Sequence, residues 1–293
     1  MQFNTRIDKI NDPFLDEKGI NLYVKRDDLI HPYVSGNKLY KLKYNVEDAI
    51  LQGYDGILTF GGAYSNHLVA TAAYCNYIGL RCIGIVRGEE LASTLNPALQ
   101  YCVEQGMQLH FVSREEYRQK ESADFIARLK DRFGDFFYIV PEGGGNALGV
   151  KGASEILHGF DALPYTHFMA ACGTGTTLAG MVLTPSLLPS TKVWGLSVLK
   201  GEDTLTPTVE QYVVGNDNLP NWKVINGYHH GGYAKTTPEL LEFIARFKEA
   251  QGITLDTVYT GKLFFAIYKM AEEGLIHSQS NILAIHTGGI SFS

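Results

Sequence analysis

The chain has 293 residues, 45% of them hydrophobic and 19% charged, with a formal net charge of −6. That length accommodates two domains, each with a buried core. The mild acidity and the absence of Lys/Arg runs argue against nucleic-acid or membrane-surface partners, and no apolar run reaches the ~18 residues of a membrane span. The N-terminal MQFNTRIDKINDPFL lacks the features of a secretory leader, so a cytoplasmic protein is expected. Cys75, Cys82, Cys102 and Cys172 form no C-x-x-C pair and lie near no His at zinc spacing, so free, buried thiols and no metal are expected.

In chain order, the patterning predicts a buried strand at Asp55–Phe60, a helix over Ser65–Ile78 and a strand at Arg81–Val86. A helix at Asn96–Glu104, a strand at Gln108–Val112, one long helix over Glu115–Phe133 and a strand at Phe136–Val140 follow. Beyond a glycine cluster the spacing predicts helix Asn146–Leu157, strand His167–Ala171, helix Leu178–Leu183 and strand Lys192–Val198. Helices at Pro238–Ala250 and Leu263–Glu273 precede a last strand at Asn281–His286. Repeated strand–helix units define an α/β fold with parallel sheets covered by helices, whose ligands gather at the C-terminal strand ends. Asp12–Asn37, Pro141–Asn146, Gly201–Gly232 and Leu255–Gly261 read as irregular, and are candidate site loops.

Five segments carry candidate chemistry. Ser35-Gly36-Asn37-Lys38 presents a lysine at the start of an apolar helix. Desolvation there would lower its pKa, as a Schiff-base lysine needs, although most lysines are simply solvated. Gly61-Gly62-Ala63-Tyr64-Ser65-Asn66-His67 joins a strand to a helix, and its Ser/Asn pair suits either helix capping or carboxylate binding. Cys172-Gly173-Thr174-Gly175-Thr176-Thr177 makes a cradle of amides and hydroxyls for a phosphate. It is no Walker loop, and Leu178 occupies the third-glycine position of a dinucleotide fingerprint, so a monophosphate fits better than NAD. Gly227–Tyr233 surrounds two adjacent histidines with glycines; neighbouring side chains rarely converge on a metal, whereas Tyr233 could enter a site. Asp256–Lys262 is a short hydroxyl-rich lead into a helix.

Taken in order, these segments resemble the 1-aminocyclopropane-1-carboxylate (ACC) deaminase and D-cysteine desulfhydrase family, of the tryptophan-synthase-β-like kind. The likeness rests on Lys25-Arg26-Asp27-Asp28-Leu29, Gly36-Asn37-Lys38 with Lys41-Leu42, Ser65-Asn66-His67, Pro141-Glu142-Gly143-Gly144, Gly173–Thr177, Val258–Lys262 and His286-Thr287-Gly288-Gly289. The resemblance implies two open, twisted, mostly parallel sheets flanked by helices. A large domain of residues 1–48 and 144–293 and a smaller inserted domain of residues 49–143 would hold pyridoxal 5′-phosphate (PLP) in the cleft between them. It implies that Lys38 carries the cofactor as a Schiff base. Gly173, Thr174, Gly175, Thr176 and Thr177 would hold its phosphate, Asn66 its phenolic oxygen, and Thr260 would face its ring nitrogen. Ser65, Asn66 and His67 would meet the substrate carboxylate, with Ser65 near the reacting carbon. Tyr233 and Tyr259 would approach the substrate as acid, base or nucleophile.

A hydroxyl at Thr260 supplies no negative charge to keep a pyridinium protonated, which favours elimination. Thr260 and Thr287 resemble the D-cysteine desulfhydrase side of the family. The expected reaction is therefore α,β-elimination of a small amino acid to pyruvate, ammonia and sulfide, with ACC deamination as the alternative. Tyr64 and Tyr40 depart from the family pattern, and a catalytically silent binding protein on the same fold is the third reading. A homodimer is expected by analogy.

Overall fold

The computed structural model describes residues 5–34, 36–160, 165–185 and 187–289. The chain folds into two compact units, one formed by the residues up to Asn37 and from Ala153 onward, the other by Lys38–Gly152. The first unit opens with β1 (Ile7–Lys9), α1 (Pro13–Glu17) and β2 (Asn21–Lys25). The second runs α2 (Asn37–Leu51), β3 (Gly56–Gly61), α3 (Asn66–Ile78), β4 (Arg81–Arg87), α4 (Pro97–Glu104) and β5 (Gln108–Val112). It continues with α5 (Arg114–Arg118), α6 (Ala123–Phe133), β6 (Phe137–Val140) and α7 (Ala147–Ala153). The chain then returns to the first unit with β7 (His167–Cys172), α8 (Thr176–Val182), β8 (Lys192–Ser197), α9 (Leu205–Val213) and β9 (Asn221–Ile225). The last elements are α10 (Pro238–Gln251), α11 (Thr260–Glu272) and β10 (Asn281–Ile285).

In the first unit six strands are ordered β1-β2-β10-β7-β8-β9, and only the β1–β2 pair is antiparallel. In the second, four parallel strands are ordered β5-β4-β3-β6. Every residue of GILTFG and HFMAAC is buried, as befits central strands covered on both faces. Each sheet has its own apolar core, with Leu22, Leu196, Phe264 and Ile282 in the first and Phe60, Ile85 and Leu129 in the second.

The second unit takes in residues 38–48 and 144–152, most of α2 and α7, which the sequence expectation of 49–143 leaves out. These helices close on each other: Asn45 and Asn146 exchange amide hydrogen bonds at 3.2 and 2.7 Å. A Cβ at Gly152 would lie 1.9 Å from the Tyr40 carbonyl oxygen. Three local expectations are corrected. The single helix over Glu115–Phe133 is two, because Ser113 forms a capping box with Glu116 and Ser122 caps a second start. Asp12–Asn37 contains β2, whose alternation is disguised by a lysine at its buried end. Gly201–Gly232 contains α9 and β9; Pro207 looks like a breaker, yet it occupies the first turn, where an amide hydrogen has no intrahelical acceptor.

Candidate active site

The first unit supplies a glycine–threonine loop. β7 ends at Cys172, and Gly173–Thr177 turns the chain into α8, with Gly175 left-handed at the N-cap. Thr176 and Thr177 are buried, Thr174 is exposed, and the Thr174 and Thr176 hydroxyls lie 3.1 Å apart. Asn37 donates its amide hydrogen to Thr177 Oγ1 at 2.8 Å. The residue immediately before Lys38 is thus tied to this loop, across 140 positions of sequence. Thr208 of α9 backs Gly175, and the ring of Tyr259 lies against Gly173.

A buried ion network fixes the segment that leads to Lys38. Lys25 pairs with Asp27, and Arg26 grips Asp28 through two bonds of 2.9 and 2.7 Å and reaches Asp8 at 2.8 Å. Burial pushes Asp27 up to about 6, with the Lys25 charge opposing the rise. The Asp27 carbonyl accepts from the Gly36 amide at 2.9 Å, while Lys25 O accepts from His286 N at 3.0 Å. Gly36 has φ +59°, and a Cβ there would lie 1.8 Å from the Thr287 carbonyl oxygen. Only glycine fits that left-handed, backbone-to-backbone approach.

Lys38 is the second residue of α2 and is half-buried. Removal of its ammonium from water pushes its pKa down to about 8. In the same unit Ser65 caps α3, accepting from the Leu68 amide at 3.3 Å, and Asn66 and His67 form the first helical turn. Helix geometry leaves the amides of that turn without intrahelical acceptors. Burial, then the neighbouring ammonium groups of Lys38 and Lys41, hold His67 well below the ordinary imidazole pKa, so it is neutral.

The Thr59 hydroxyl fixes the His67 tautomer. It donates to Val140 O at 2.8 Å and therefore accepts from His67 Nε2–H at 2.9 Å. Nδ1 is left as a bare, buried acceptor. The His67 ring thus offers a carboxylate no donor, whereas its backbone amide remains suitable.

Thr260 is fully buried at the start of α11. Its hydroxyl donates to Asp256 Oδ2 and accepts from the Asp256 amide at 2.9 Å, so its one hydrogen is committed. Asp256 also accepts from the amides of Val258, Tyr259 and Thr260 at 2.7 to 2.9 Å. Tyr233 is 45% exposed, and its ring meets that of Tyr259 edge-on at 6.0 Å.

The structure therefore brings Asn37, Thr177, Tyr233, Tyr259 and Thr260 onto one unit, and Lys38, Ser65, Asn66 and His67 onto the other. Sequence reasoning missed Asp256, Thr59, Lys262 and the tie made by Asn37. Asp256, Lys262 and Asn37 stood inside quoted motifs, but only their partners reveal a task.

A desolvated lysine at the start of one helix and a glycine–threonine turn at the start of another are the parts expected of an enzyme built around a phosphorylated aldehyde cofactor. The family model described as pyridoxal-phosphate dependent enzyme matches residues 4–288, and the chain belongs to that family. It is 34% identical to the Arabidopsis thaliana bifunctional D-cysteine desulfhydrase/1-aminocyclopropane-1-carboxylate deaminase, mitochondrial, covering 93% of this chain and 73% of the relative. It is 31% identical to the Serratia proteamaculans D-cysteine desulfhydrase, covering 94% and 88%. A crystal structure described as an ACC deaminase homologue superposes with a TM-score of 0.82 at 29% identity, covering 99% of this chain and 91% of that one. Among the described residues no helix is long and apolar enough to cross a membrane.

Proposed function

We propose that this PLP-dependent enzyme is a lyase acting on a small amino acid with a β-leaving group, D-cysteine first. D-Cysteine and water would yield pyruvate, ammonia and hydrogen sulfide. The observation that carries the reading is the bond from Asn37, directly before Lys38, to Thr177 of the glycine–threonine loop. In this reading Lys38 bears the cofactor, and Gly173, Thr174, Gly175, Thr176 and Thr177 take its phosphate. An amine with its pKa pushed down to about 8 is a competent nucleophile near neutral pH. Bound PLP withdraws electrons from the substrate's α-carbon.

The remaining roles belong to the chain. The amides of Asn66 and His67, with the Ser65 hydroxyl, receive the substrate carboxylate at the start of α3, where the helix dipole favours an anion. Asn66 also serves the cofactor's phenolic oxygen. Lys38 or Ser65 removes the α-proton, and Tyr233 and Tyr259 are assigned the delivery of a proton to the leaving sulfur. Thr260, its hydrogen held by Asp256, has only a lone pair to offer, which suits a protonated ring nitrogen. The preference for desulfhydration over ACC deamination rests instead on the likeness of Thr260 and Thr287 to the desulfhydrase side of the family. The larger unit is assigned to the cofactor phosphate and the smaller to the substrate carboxylate, within a cytoplasmic homodimer.

The test is turnover by the purified, PLP-loaded protein. D-Cysteine should give equal amounts of pyruvate, ammonia and sulfide, and Lys38→Ala should give none. Release of 2-oxobutyrate and ammonia from ACC, with none from D-cysteine, would establish the deaminase alternative instead, an activity that the Arabidopsis relative's name joins to desulfhydration. Inactivity on both would leave a silent PLP-binding protein.

A further inference from the structure

Lys262 takes no part in the roles above, yet it is among the largest fully buried side chains, at 0% exposure. It is the third residue of α11, directly after Thr260 and Gly261. Its ammonium donates to the Gly232 carbonyl at 2.7 Å, across 30 positions of sequence. Desolvation pushes its pKa down to about 8, and Asp256 opposes only part of that shift. Burying an ammonium against a neutral acceptor is costly, so a residue needed only to fill space would be apolar.

The acceptor lies in an unusual loop. His230 and Ala234 have φ of +50° and +54°, flanking Gly231 and Gly232 at +97° and +115°. Non-glycine residues adopt that region only where their surroundings over-determine it. Here the Gly232 amide donates to His229 O at 3.0 Å, and Gly232 O also accepts from the Lys235 amide at 3.1 Å. His230 Nδ1 bonds Thr237 Oγ1 at 2.8 Å, and its ring stands edge-on to Phe265 at 4.4 Å. Lys262 anchors the same loop from the core, one residue before Tyr233. From there the chain of contacts runs through Tyr259 to Gly173.

We propose that Lys262 is a positioning residue that, by holding the Gly232 carbonyl, sets the Tyr233 hydroxyl against Tyr259 for the proton transfer assigned to that pair. The inference rests on the reading of Tyr233 as a site residue, and its test separates the two. Holoenzyme is labelled with 3-fluorotyrosine, and the Tyr233 fluorine line is identified by its loss in Tyr233→Phe. Lys262→Met keeps the bulk and removes both donor and charge. The Tyr233 line should shift or split, while the melting temperature holds or rises because a buried charge has gone. With D-cysteine, kcat should fall about ten- to hundred-fold, the scale of a misplaced catalytic group, with KM changing far less. In Tyr233→Phe, adding Lys262→Met should change kcat by less than about two-fold, because the two act as one unit.

A Tyr233 line unmoved by Lys262→Met, or losses that multiply in the double variant, would overturn the proposal. Should the Met variant not fold, Lys262→Leu is read by the same two criteria. A displaced line in a protein inactive on every amino acid tried would keep the positioning role and remove the catalytic reading of Tyr233.

Discussion

Lys38→Met in the cofactor-free protein isolates what burial of this amine costs. Moving an ammonium from 10.5 to about 8 corresponds to about 2–3 kcal/mol once the partial exposure of the side chain is allowed for. The folded state holds the proton less tightly than the unfolded chain does. Below pH 8 both states are charged and the folded state bears the whole penalty. Between pH 8 and 10.5 the unfolded chain binds more protons, so wild-type stability rises with pH. Lys38→Met lacks the group, so its advantage over wild type should be about 2–3 kcal/mol near pH 7 and should fade as pH rises through that window. Urea unfolding of both cofactor-free proteins at about pH 7 and about pH 10 measures the difference. An advantage that is absent at neutral pH, or that grows with pH, would refute the burial argument. The same variant should bind no PLP covalently, so stability gained and function lost would be traced to one amine.

Three further outcomes are expected. Gly36→Ala forces a side chain into the Thr287 carbonyl at positive φ and should cost about 3 kcal/mol or more, seen as a fall in melting temperature or in soluble yield. Asp256→Ala strips the amides of Val258, Tyr259 and Thr260 of their acceptor and should cost about 2 kcal/mol; thermal unfolding checks this, and an unchanged melting temperature contradicts it. Nitrogen NMR should find the His67 ring neutral, protonated at Nε2 and without a titration step between about pH 5 and 8; a step near the ordinary histidine value would show that burial and the flanking lysines do not act as described.

Much of the molecule was legible in local pattern. Strand and helix alternation, the glycine–threonine turn after His167–Ala171 and the lysine opening α2 are short-range features, and the structure keeps them. The capping role of Ser65 was legible too, since an N-cap needs only its own helix. β2 escaped because Lys25 ends a buried strand, and a lysine reads as solvent-facing until its Asp27 partner is known. The break after Arg118 escaped because the apolar stripe continues across it, while two serine caps divide the backbone.

The amino-acid sequence alone determined the class of fold, the lysine that opens α2 and the glycine–threonine turn at 173–177, because each depends on neighbours a few residues away. Tertiary structure alone decided that β2 pairs with the last strand, β10, that Thr59 leaves the His67 ring with no donor to give, and that Asn37 and Lys262 each tie down a distant loop. Those outcomes depend on which groups meet across tens to hundreds of residues. Burial then sets their hydrogen-bond roles and their charge, which no local pattern encodes.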